Sequence, residues 1–534
     1  MAQPAARAPV NMSASATSLR QRGLKGWQAV EALFDAAFGS RLNPLRHLGA
    51  IGVLAFWLLA ASGIVLYAVL DTSAAGAWAS VEALAHVPLG LGLLLRGLHR
   101  YAADALMLAM LLHLLREWLH AHERGVRRFH WLTGVVLIGF VFVASIGGFW
   151  LNWDQLGQYS AIATAEWLDA LPLLAAPLAR NFLAGAVGDR LFSLFVFVHL
   201  GVPLLLLFGL WFHVQRLSRA EWLPPRPLAL GVTLTLAALA LAWPVLSQPP
   251  AALDRVPQSL QLDWLLLWLH PLTDAGSAAL TWALVGGAAL LLLTLPYWPQ
   301  PAKPAVALVD AANCNGCRRC FADCPYAAVT MVPHPNQRIG RQLAQVDADL
   351  CVGCGICAGA CPSSTPFRGA ERLVTGIDMP QLGVDGLRRR LREDLAASKA
   401  ERPLVVFGCD HGARRGAAAN ADDDDVSGCS LLCAGQLPPS FVEYALRDGA
   451  AGVLVAACRE GGCEFRLGER WTAERLAGRR EPHLRAQVPP ERVELVYAGP
   501  GDEALLAAAL QRLRRRVQAL APIPSDPERR LRHG

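Results

Sequence analysis

Four histidines carry the first chemical signal in this sequence. His99 and His113, and His199 and His213, are each fourteen residues apart (113 − 99 and 213 − 199) and sit in apolar segments. Fourteen residues is close to four helical turns, so each pair faces one side of its helix, its members roughly 21 Å apart along the axis. The plainer reading, a histidine hydrogen-bonding to a neighbouring helix, accounts for one such residue but not for two pairs at one spacing. Ionisable residues at membrane depth are functional by default. If the two helices run in the same direction, His99 shares a depth with His199, and His113 with His213. That is the arrangement for two bis-histidine haems stacked across a membrane, each iron taking one imidazole from each helix. Gly49 and Gly63, and Gly134 and Gly148, repeat the spacing on two other apolar segments. A porphyrin lying flat on a helix needs a position without Cβ, and two layers need two such positions per helix.

The second signal is cysteine. All 13 lie after residue 313. Cys314, Cys317, Cys320 and Cys324 form a C-x2-C-x2-C-x3-C-P run, and Cys351, Cys354, Cys357 and Cys361 repeat it. This is the two-cluster bacterial ferredoxin pattern, in which three cysteines of a run ligate one [4Fe–4S] cube and the fourth ligates the other. One site is then Cys314, Cys317, Cys320 and Cys361, and the second is Cys351, Cys354, Cys357 and Cys324. Gly316, Gly353 and Gly355 permit the tight turns, and zinc rarely uses such a run. Cysteines of this kind point to metal ligation in a reducing compartment rather than to a disulfide framework.

Five cysteines remain. Cys409 and Cys458 each follow an expected strand, so their thiolates should meet at one edge of a sheet. Cys433 precedes Ala434-Gly435, a turn into a helix, and Cys463 and Cys429 complete the set. Four such thiolates, Cys409, Cys433, Cys458 and Cys463, can hold a [2Fe–2S] cluster or zinc, and the plainer alternative is a structural cysteine set in a docking domain.

These groups must be positioned by a membrane half and a soluble half. The hydrophobic fraction of 54% exceeds that of an ordinary soluble protein. Six apolar segments reach the roughly 20 residues needed to span a bilayer, at 47–70, 91–119, 131–151, 191–217, 228–246 and 277–297. Arg20, Arg22, Lys25, Arg41 and Arg46 precede the first. Arg124, Arg127 and Arg128 follow the second, and Arg216, Arg219 and Arg226 the fourth. Alternate loops are acidic (Asp71, Glu82, Asp154, Glu166, Asp169, Asp254 and Asp263), so the positive-inside rule puts both chain ends in the cytoplasm. The polar first forty residues have no apolar h-region, and the expected anchor is the first span. The net charge of +6 forms no basic stripe, which excludes a nucleic-acid reading.

The fold expected is a membrane all-α bundle of six transmembrane helices, then a small α+β dicluster ferredoxin domain and a small α/β C-terminal domain. The expected divisions are a cytosolic segment 1–46, a dihaem bundle 47–219 and two further spans 220–300. A ferredoxin-like domain 301–370, a connector 371–402, an α/β domain 403–520 and a polar tail 521–534 follow. Alternation supports the α/β domain, with strands near 404–407, 452–457 and 493–497 and helices near 439–448, 470–477 and 503–519. The acidic run 422–425, after 416–420, reads as a solvated loop.

Residues 43–219 resemble the N-terminal four-helix region of cytochrome b/b6. The likeness includes Arg96, three before His99, and Arg116, three after His113, where that family has Arg near haem propionates. It extends to Trp153-Asp154-Gln155 and to Pro203 after His199. It implies two haem b groups, His99–His199 on the periplasmic side and His113–His213 on the cytoplasmic side. The family's Pro-Glu-Trp-Tyr quinol-oxidising motif is absent, and Ala165-Glu166-Trp167 does not replace it. Residues 403–517 resemble the delta subunit of the methyl-viologen-reducing hydrogenase, through Cys433-Ala-Gly, Gly452-Val-Leu-Val-Ala-Ala-Cys458 and Gly462-Cys463-Glu-Phe-Arg-Leu-Gly468. That resemblance implies a [2Fe–2S] cluster and passage of electrons between a hydrogenase and a heterodisulfide-reductase-type flavoprotein. The family's opening Cys-x-x-Cys is here Cys409-Asp-His-Gly412. Either four thiols suffice, or Cys429 replaces the lost one, or the cluster is gone.

No Ser/His/Asp group, Walker loop or dinucleotide fingerprint stands out. The expected function is a wire in the inner membrane of a bacterium, between a cytosolic redox partner and the quinone pool or a periplasmic acceptor. The alternatives are a quinone reductase or quinol oxidase with its own site, and a redox-sensing scaffold.

Overall fold

The computed structural model describes residues 19–123, 127–171, 177–182, 188–215, 220–255, 259–298, 305–336, 341–364, 373–413 and 425–521. Arg124, Arg216, Arg219, the segment 416–420 and Asp422 to Asp424 lie outside the described residues, as does much of the Pro-rich stretch between the halves. Two units make up the chain: Met1–His213 with Glu221–Pro299, and Val214–Ala220 with Gln300–Gly534.

The first unit is helical: α1 (Leu19–Phe38), α2 (Leu48–Val69), α3 (Ala77–Ala83), α4 (Leu91–Leu119), α5 (Arg128–Asn152), α6 (Gln155–Asp169), α7 (Asp189–Val214), α8 (Arg226–Ala242), α9 (Leu269–Ala275) and α10 (Ala278–Thr294). All six expected apolar segments are helical. Among the described residues four helices (α2, α5, α7 and α10 with its extension to Tyr297) are long and apolar enough to cross a membrane, or up to five if the bent pair ending in α4 is one span. Arg96, Arg100, Asp104, Arg116 and Glu117 give α4 its polar character. With 17 residues, α8 is about 26 Å long, short of a hydrocarbon core of about 30 Å.

Four helices, α1, α3, α6 and α9, were not expected from the apolar pattern. In α1, Glu31 is buried and accepts from Trp27 Nε1 at 2.8 Å and from Arg116 Nε of α4 at 3.3 Å. Trp153 ends α5 in the left-handed region (φ 47), and Asp154 then caps α6, its Oδ1 accepting from Gly157 N at 2.8 Å. The short α9 places buried His270 against α6, where its Nε2 meets Ser160 Oγ at 3.0 Å.

The second unit begins with paired strands. β1 (Leu308–Val309) pairs with β4 (Ile377–Asp378), and β2 (Val329–Pro333) with β3 (Gln342–Val346), both antiparallel. Two five-residue helices, α11 (Arg319–Asp323) and α12 (Ile356–Ala360), end at the fourth cysteine of each run. After α13 (Val384–Ala397) come β5 (Leu404–Cys409), β6 (Val426–Leu431), α14 (Ser440–Arg447), β7 (Gly452–Ala457), α15 (Gly468–Leu476), β8 (Val493–Tyr497) and α16 (Glu503–Gln518). The sheet is parallel throughout, in order β6-β5-β7-β8.

Alternation along β5 explains the two layers. Val405 and Phe407 join α13 and α14 in one core, while Leu404 and Val406 join α16 in the other. The strand order reverses between β5 and β7, and the crevice at that switch point, beyond the carboxyl ends of the strands, is where such sheets bind ligands. β6 escaped the sequence pattern because Ser427, Gly428 and Ser430 dilute its apolar character at the sheet edge.

Candidate metal centres

His99 and His113 project from α4, and His199 and His213 from α7. The rings of His99 and His199 face each other with centroids 6.2 Å apart. Two metal–nitrogen bonds of about 2 Å each, plus two half-rings, make a separation of that order. A Cβ added at Gly63 would lie 3.0 Å from His99 Cε1, and at Gly148 2.9 Å from His199 Cε1. At Gly134 it would lie 3.3 Å from His213 Cε1, and at Gly49 3.6 Å from the His113 ring. Each glycine of the repeated spacing thus faces one histidine: a Cβ would be crowded against the ring at Gly63, Gly134 and Gly148 and in ordinary contact with it at Gly49.

The register holds between the layers too. The midpoints of the four pairs, positions 56, 106, 141 and 206, are Phe56, Leu106, Val141 and Leu206, and all four belong to one buried apolar cluster with Ala55, Met107 and Leu137. Two polar layers are therefore separated by a dry one.

The histidine tautomers follow from a chain of donors. Ser62 Oγ donates to Leu58 O at 2.6 Å, so it accepts from His99 Nδ1 at 3.0 Å. Thr133 Oγ1 donates to Phe129 O at 2.8 Å and accepts from His213 Nδ1 at 2.8 Å. His199 Nδ1 donates to Ala144 O at 2.9 Å. With Nδ1 carrying the proton on three of the four rings, Nε2 is left to bind a metal. Ser62 and Thr133 immediately precede Gly63 and Gly134, a coincidence visible in the sequence and missed there.

The two arginines differ. Arg96 is buried; its Nη2 donates to Ser247 Oγ at 2.9 Å, while Nη1 makes no hydrogen bond and lies 4.0 Å from Glu82 Oε2. A carboxylate such as a propionate suits that unsatisfied donor. Arg116 is instead engaged by Glu31 and Glu117, each at 3.3 Å. Beyond α4, burial pushes His122 down to about 3, and its Nδ1 lies 2.6 Å from both Glu117 Oε2 and Arg127 Nη1.

In the second unit the two cysteine runs cross. Cys314, Cys317, Cys320 and Cys361 line one cavity of about 310 Å³, with Met331, Ala344 and Ile377. Cys324, Cys351, Cys354 and Cys357 line another of about 360 Å³, with Val329, Ile356 and Met379. Each cavity takes three cysteines from one run and the fourth from the other. Gly316, Gly353 and Gly355 adopt φ of 68°, 72° and 76°, and so does Arg318 at 65°. The turns aim backbone N–H groups at sulfur: Ala328 N donates to Cys324 Sγ at 3.2 Å. Burial pushes the Cys320 thiol up to about 12 and raises those of Cys317, Cys324, Cys354 and Cys357. Such thiols become thiolates when a bound metal displaces the proton.

At the switch point of the parallel sheet four thiols close a ring. Cys409 ends β5, and its sulfur lies 3.5 Å from that of Cys458, just past β7. Cys433 and Cys458 donate to Cys409 and Cys463. Those hydrogen bonds push Cys409 down to about 3 and Cys463 well below its ordinary value, and they raise the two donors. Backbone N–H groups of Glu469 and Phe465 reinforce Cys463 at the start of α15. Gly468 is packed so closely on Cys433 that a Cβ there would collide with the sulfur. Cys429 is elsewhere: it lies opposite Phe407 on β6, in the apolar core with Leu431 and Phe441. Among the described residues no three His, Cys, Asp or Glu groups surround one point as a single-ion site requires, so the ring is a contact of thiols and not a preformed tetrahedron.

Comparison with known proteins follows the same division. A family profile for cytochrome b/b6/petB matches residues 33–220. The cytochrome b6 of Mesostigma viride is 31% identical over 170 residues, 31% of this chain and 77% of the relative. The chain belongs to the cytochrome b/b6 family. The cytochrome b6 of Stigeoclonium helveticum is 30% identical over the same shares. This cytochrome b/b6 family member continues into a 4Fe-4S dicluster domain at residues 313–365. It then matches the methyl-viologen-reducing hydrogenase delta subunit at residues 404–521. Among solved structures, a hyperthermophilic respiratory complex III is similar at 19% identity and TM-score 0.40, over 51% of this chain and 82% of that one. The family implies haem b, the dicluster domain implies 4Fe-4S clusters, and the whole is a multi-pass membrane electron-transfer protein.

Proposed function

We propose that the chain conducts electrons through five centres: a [2Fe–2S] cluster at Cys409, Cys433, Cys458 and Cys463, two [4Fe–4S] clusters and two haems b. The cubanes take Cys351, Cys354, Cys357 and Cys324, and Cys314, Cys317, Cys320 and Cys361. The haems take His113–His213 and His99–His199, with Arg96 as the propionate partner of the latter and Arg116 of the former. Iron at these centres supplies one-electron chemistry when bound; the protein's part is spacing, burial and charge. The observation that most supports the reading is the crossing of the cysteine runs into two cavities with four thiols each. Ser62 and Thr133 hold their imidazoles in the tautomer that presents Nε2, and the dry layer at Leu106 and Leu206 keeps the two histidine layers apart.

The remaining proposals concern setting. The short α8 and the bent pair ending in α4 complete six spans. Both chain ends are cytoplasmic and the membrane is a bacterial inner membrane. The C-terminal domain receives a cytosolic flavoprotein or hydrogenase-type partner, and quinone or a periplasmic carrier completes the circuit. An optical and EPR redox titration of the purified chain tests the count of centres, with two haems, two cubanes and one [2Fe–2S] signal expected. Reduced clusters that fail to reduce the haems would overturn the wire.

A further inference from the structure

Arg475 of α15 is buried to 1% exposure, deeper than any other arginine among the described residues. Its Nη2 donates to Asp323 Oδ2 at 2.6 Å and its Nη1 to Gly435 O at 2.8 Å, while Nε makes no hydrogen bond. Those two partners belong to different centres. Asp323 immediately precedes Cys324, which lines the second cubane cavity, and Gly435 lies two residues after Cys433 of the thiol ring. The two centres are also in direct contact through their supports. A Cβ at Gly359 of α12 would meet Arg475 Nη1 at 2.8 Å, and one at Gly355 would meet the Gln436 side chain at 2.9 Å.

Asp323 stands between two guanidinium groups, of which the outer, Arg480, also pairs with Glu474. The Asp323 carboxylate, 3% exposed, accepts from Arg475 and, at 2.7 Å, from Arg480 Nη1. Trp471 fixes the arrangement, its Nε1 donating to Asp323 O at 3.1 Å with Arg480 stacked 3.3 Å from its ring centroid. Arg480 turns its other face to Glu474, nearer solvent. The inner cation, Arg475, keeps an unsatisfied donor in a low-dielectric interior, where a unit charge acts over many ångströms.

We propose that Arg475 is a positioning charge shared by the second cubane and the thiol-ring cluster, raising the reduction potential of both. The inference rests on the centres assigned above. Reduction adds one negative charge to a centre, and a buried cation within reach of two centres lowers the free energy of either reduced form. In the step between them one electron leaves one centre and enters the other, with no bond made or broken. Because the same cation favours the electron on both sides, it leaves the driving force of the step between them nearly unchanged.

The competing account is a structural clamp, since Arg475–Asp323 is a buried ion pair joining two parts of the unit. Sign separates the two. R475Q and D323N break the same bridge but change the charge in opposite directions. EPR-monitored redox titration of the full chain should show R475Q lowering both midpoints, with about a tenfold fall in the reduced-to-oxidised ratio at fixed potential, about 59 mV for one electron. D323N should raise the same two midpoints, R475K should restore most of the native value, and the first cubane and the haems should move by less than about threefold in ratio. Shifts of the same sign in both variants, or none, would overturn the proposal. If R475Q does not fold, D323N alone carries the sign: an upward shift of both midpoints supports the proposal, and a downward shift or none overturns it. A native chain lacking the second cubane or the ring signal would instead overturn the assignment of centres, and the proposal with it.

Discussion

The two cubane sites are built from one repeated run, yet their surroundings are opposites. At the first, Cys317 is exposed, Phe321 beside it is 45% exposed, and the turn before α11 puts Arg318 in the left-handed region at φ 65°. At the second, the equivalent turn residue is Gly355 at φ 76°, and α12 is buried along its whole length against Ala434, Gly435 and Gln436. Ligand spacing sets what a site can bind. Whether the site is an exposed terminus or an interior relay depends on residues between the ligands, glycine on one side and arginine on the other. In the wire proposed above, this difference suits the second site to internal transfer from the thiol ring and the first to exchange at the surface of the soluble unit.

The largest contrast should come from the ligands. Cys357→Ser, at a fully enclosed position, should abolish the second cubane signal with a loss of about four irons per chain. Cys317→Ser, at an edge where solvent or the serine oxygen can complete coordination, should keep much of the first signal at an altered potential. Equal iron loss in the two variants would erase the distinction between buried and exposed sites.

Packing gives the next contrast. Gly359→Val drives a side chain into Gly435 O and Arg475, an overpacking that should cost about 1–3 kcal/mol. The equivalent position in the first run is Ala322, which is exposed, and Ala322→Val should change stability by no more than about 0.5 kcal/mol. Thermal bleaching of the cluster absorbance reads both, and similar melting shifts would contradict the interior placement. Backbone strain is smaller still. Gly355→Ala should cost about 1–2 kcal/mol in the left-handed region, with its Cβ also pressed against the Gln436 side chain at 2.9 Å, while Arg318→Gly relieves the same backbone strain at the price of a more flexible unfolded chain. Its net gain should stay below about 1 kcal/mol in the same melt.

Legibility divides along the same line between local and tertiary information. The histidine pairs, their glycines and the cysteine runs were readable because each signal lies within one helix or one short run, where periodicity fixes what faces what. The crossing of the runs, by contrast, was readable only because the paired spacing is the two-cluster ferredoxin pattern, in which the fourth cysteine serves the other cluster. The ring at Cys409, Cys433, Cys458 and Cys463 was foreseen as a set, but the place of Cys429 was not, because it depended on the undetected strand β6. Ser62 and Thr133 were missed since a single Ser or Thr beside a glycine carries no pattern; only a neighbouring helix makes it a histidine partner. The helices α1, α3, α6 and α9 were missed because none carries an unbroken apolar run long enough to register as a span, and the span count of six rested on α8, which the structure makes shorter than a full crossing, and on α4, which qualifies only as part of a bent pair.

The finest test of the comparison is electrostatic. The second site is tied to solvent through Asp323, Arg480 and Glu474, whereas beside the first Arg319 pairs with Glu481 at 3.4 Å, with Glu481 56% exposed. Burial works to raise the Glu474 carboxyl, but hydrogen bonds from Arg480 and Arg470 outweigh it and hold the group below its ordinary value. A carboxyl depressed in the folded state binds its proton more readily in the unfolded chain. Its contribution is therefore present above the unfolded value of about 4.3 and is lost as pH falls through the folded one. Glu474→Gln should lower stability by about 0.5 kcal/mol at pH 7, with the difference from the native chain vanishing as the pH is lowered through that range. Glu481→Gln should show no measurable difference at any pH, because an exposed pair is screened on every side. A pH-independent loss in Glu474→Gln would mean that its role is packing against Arg480 and not charge, and the second site would then differ from the first in shape alone.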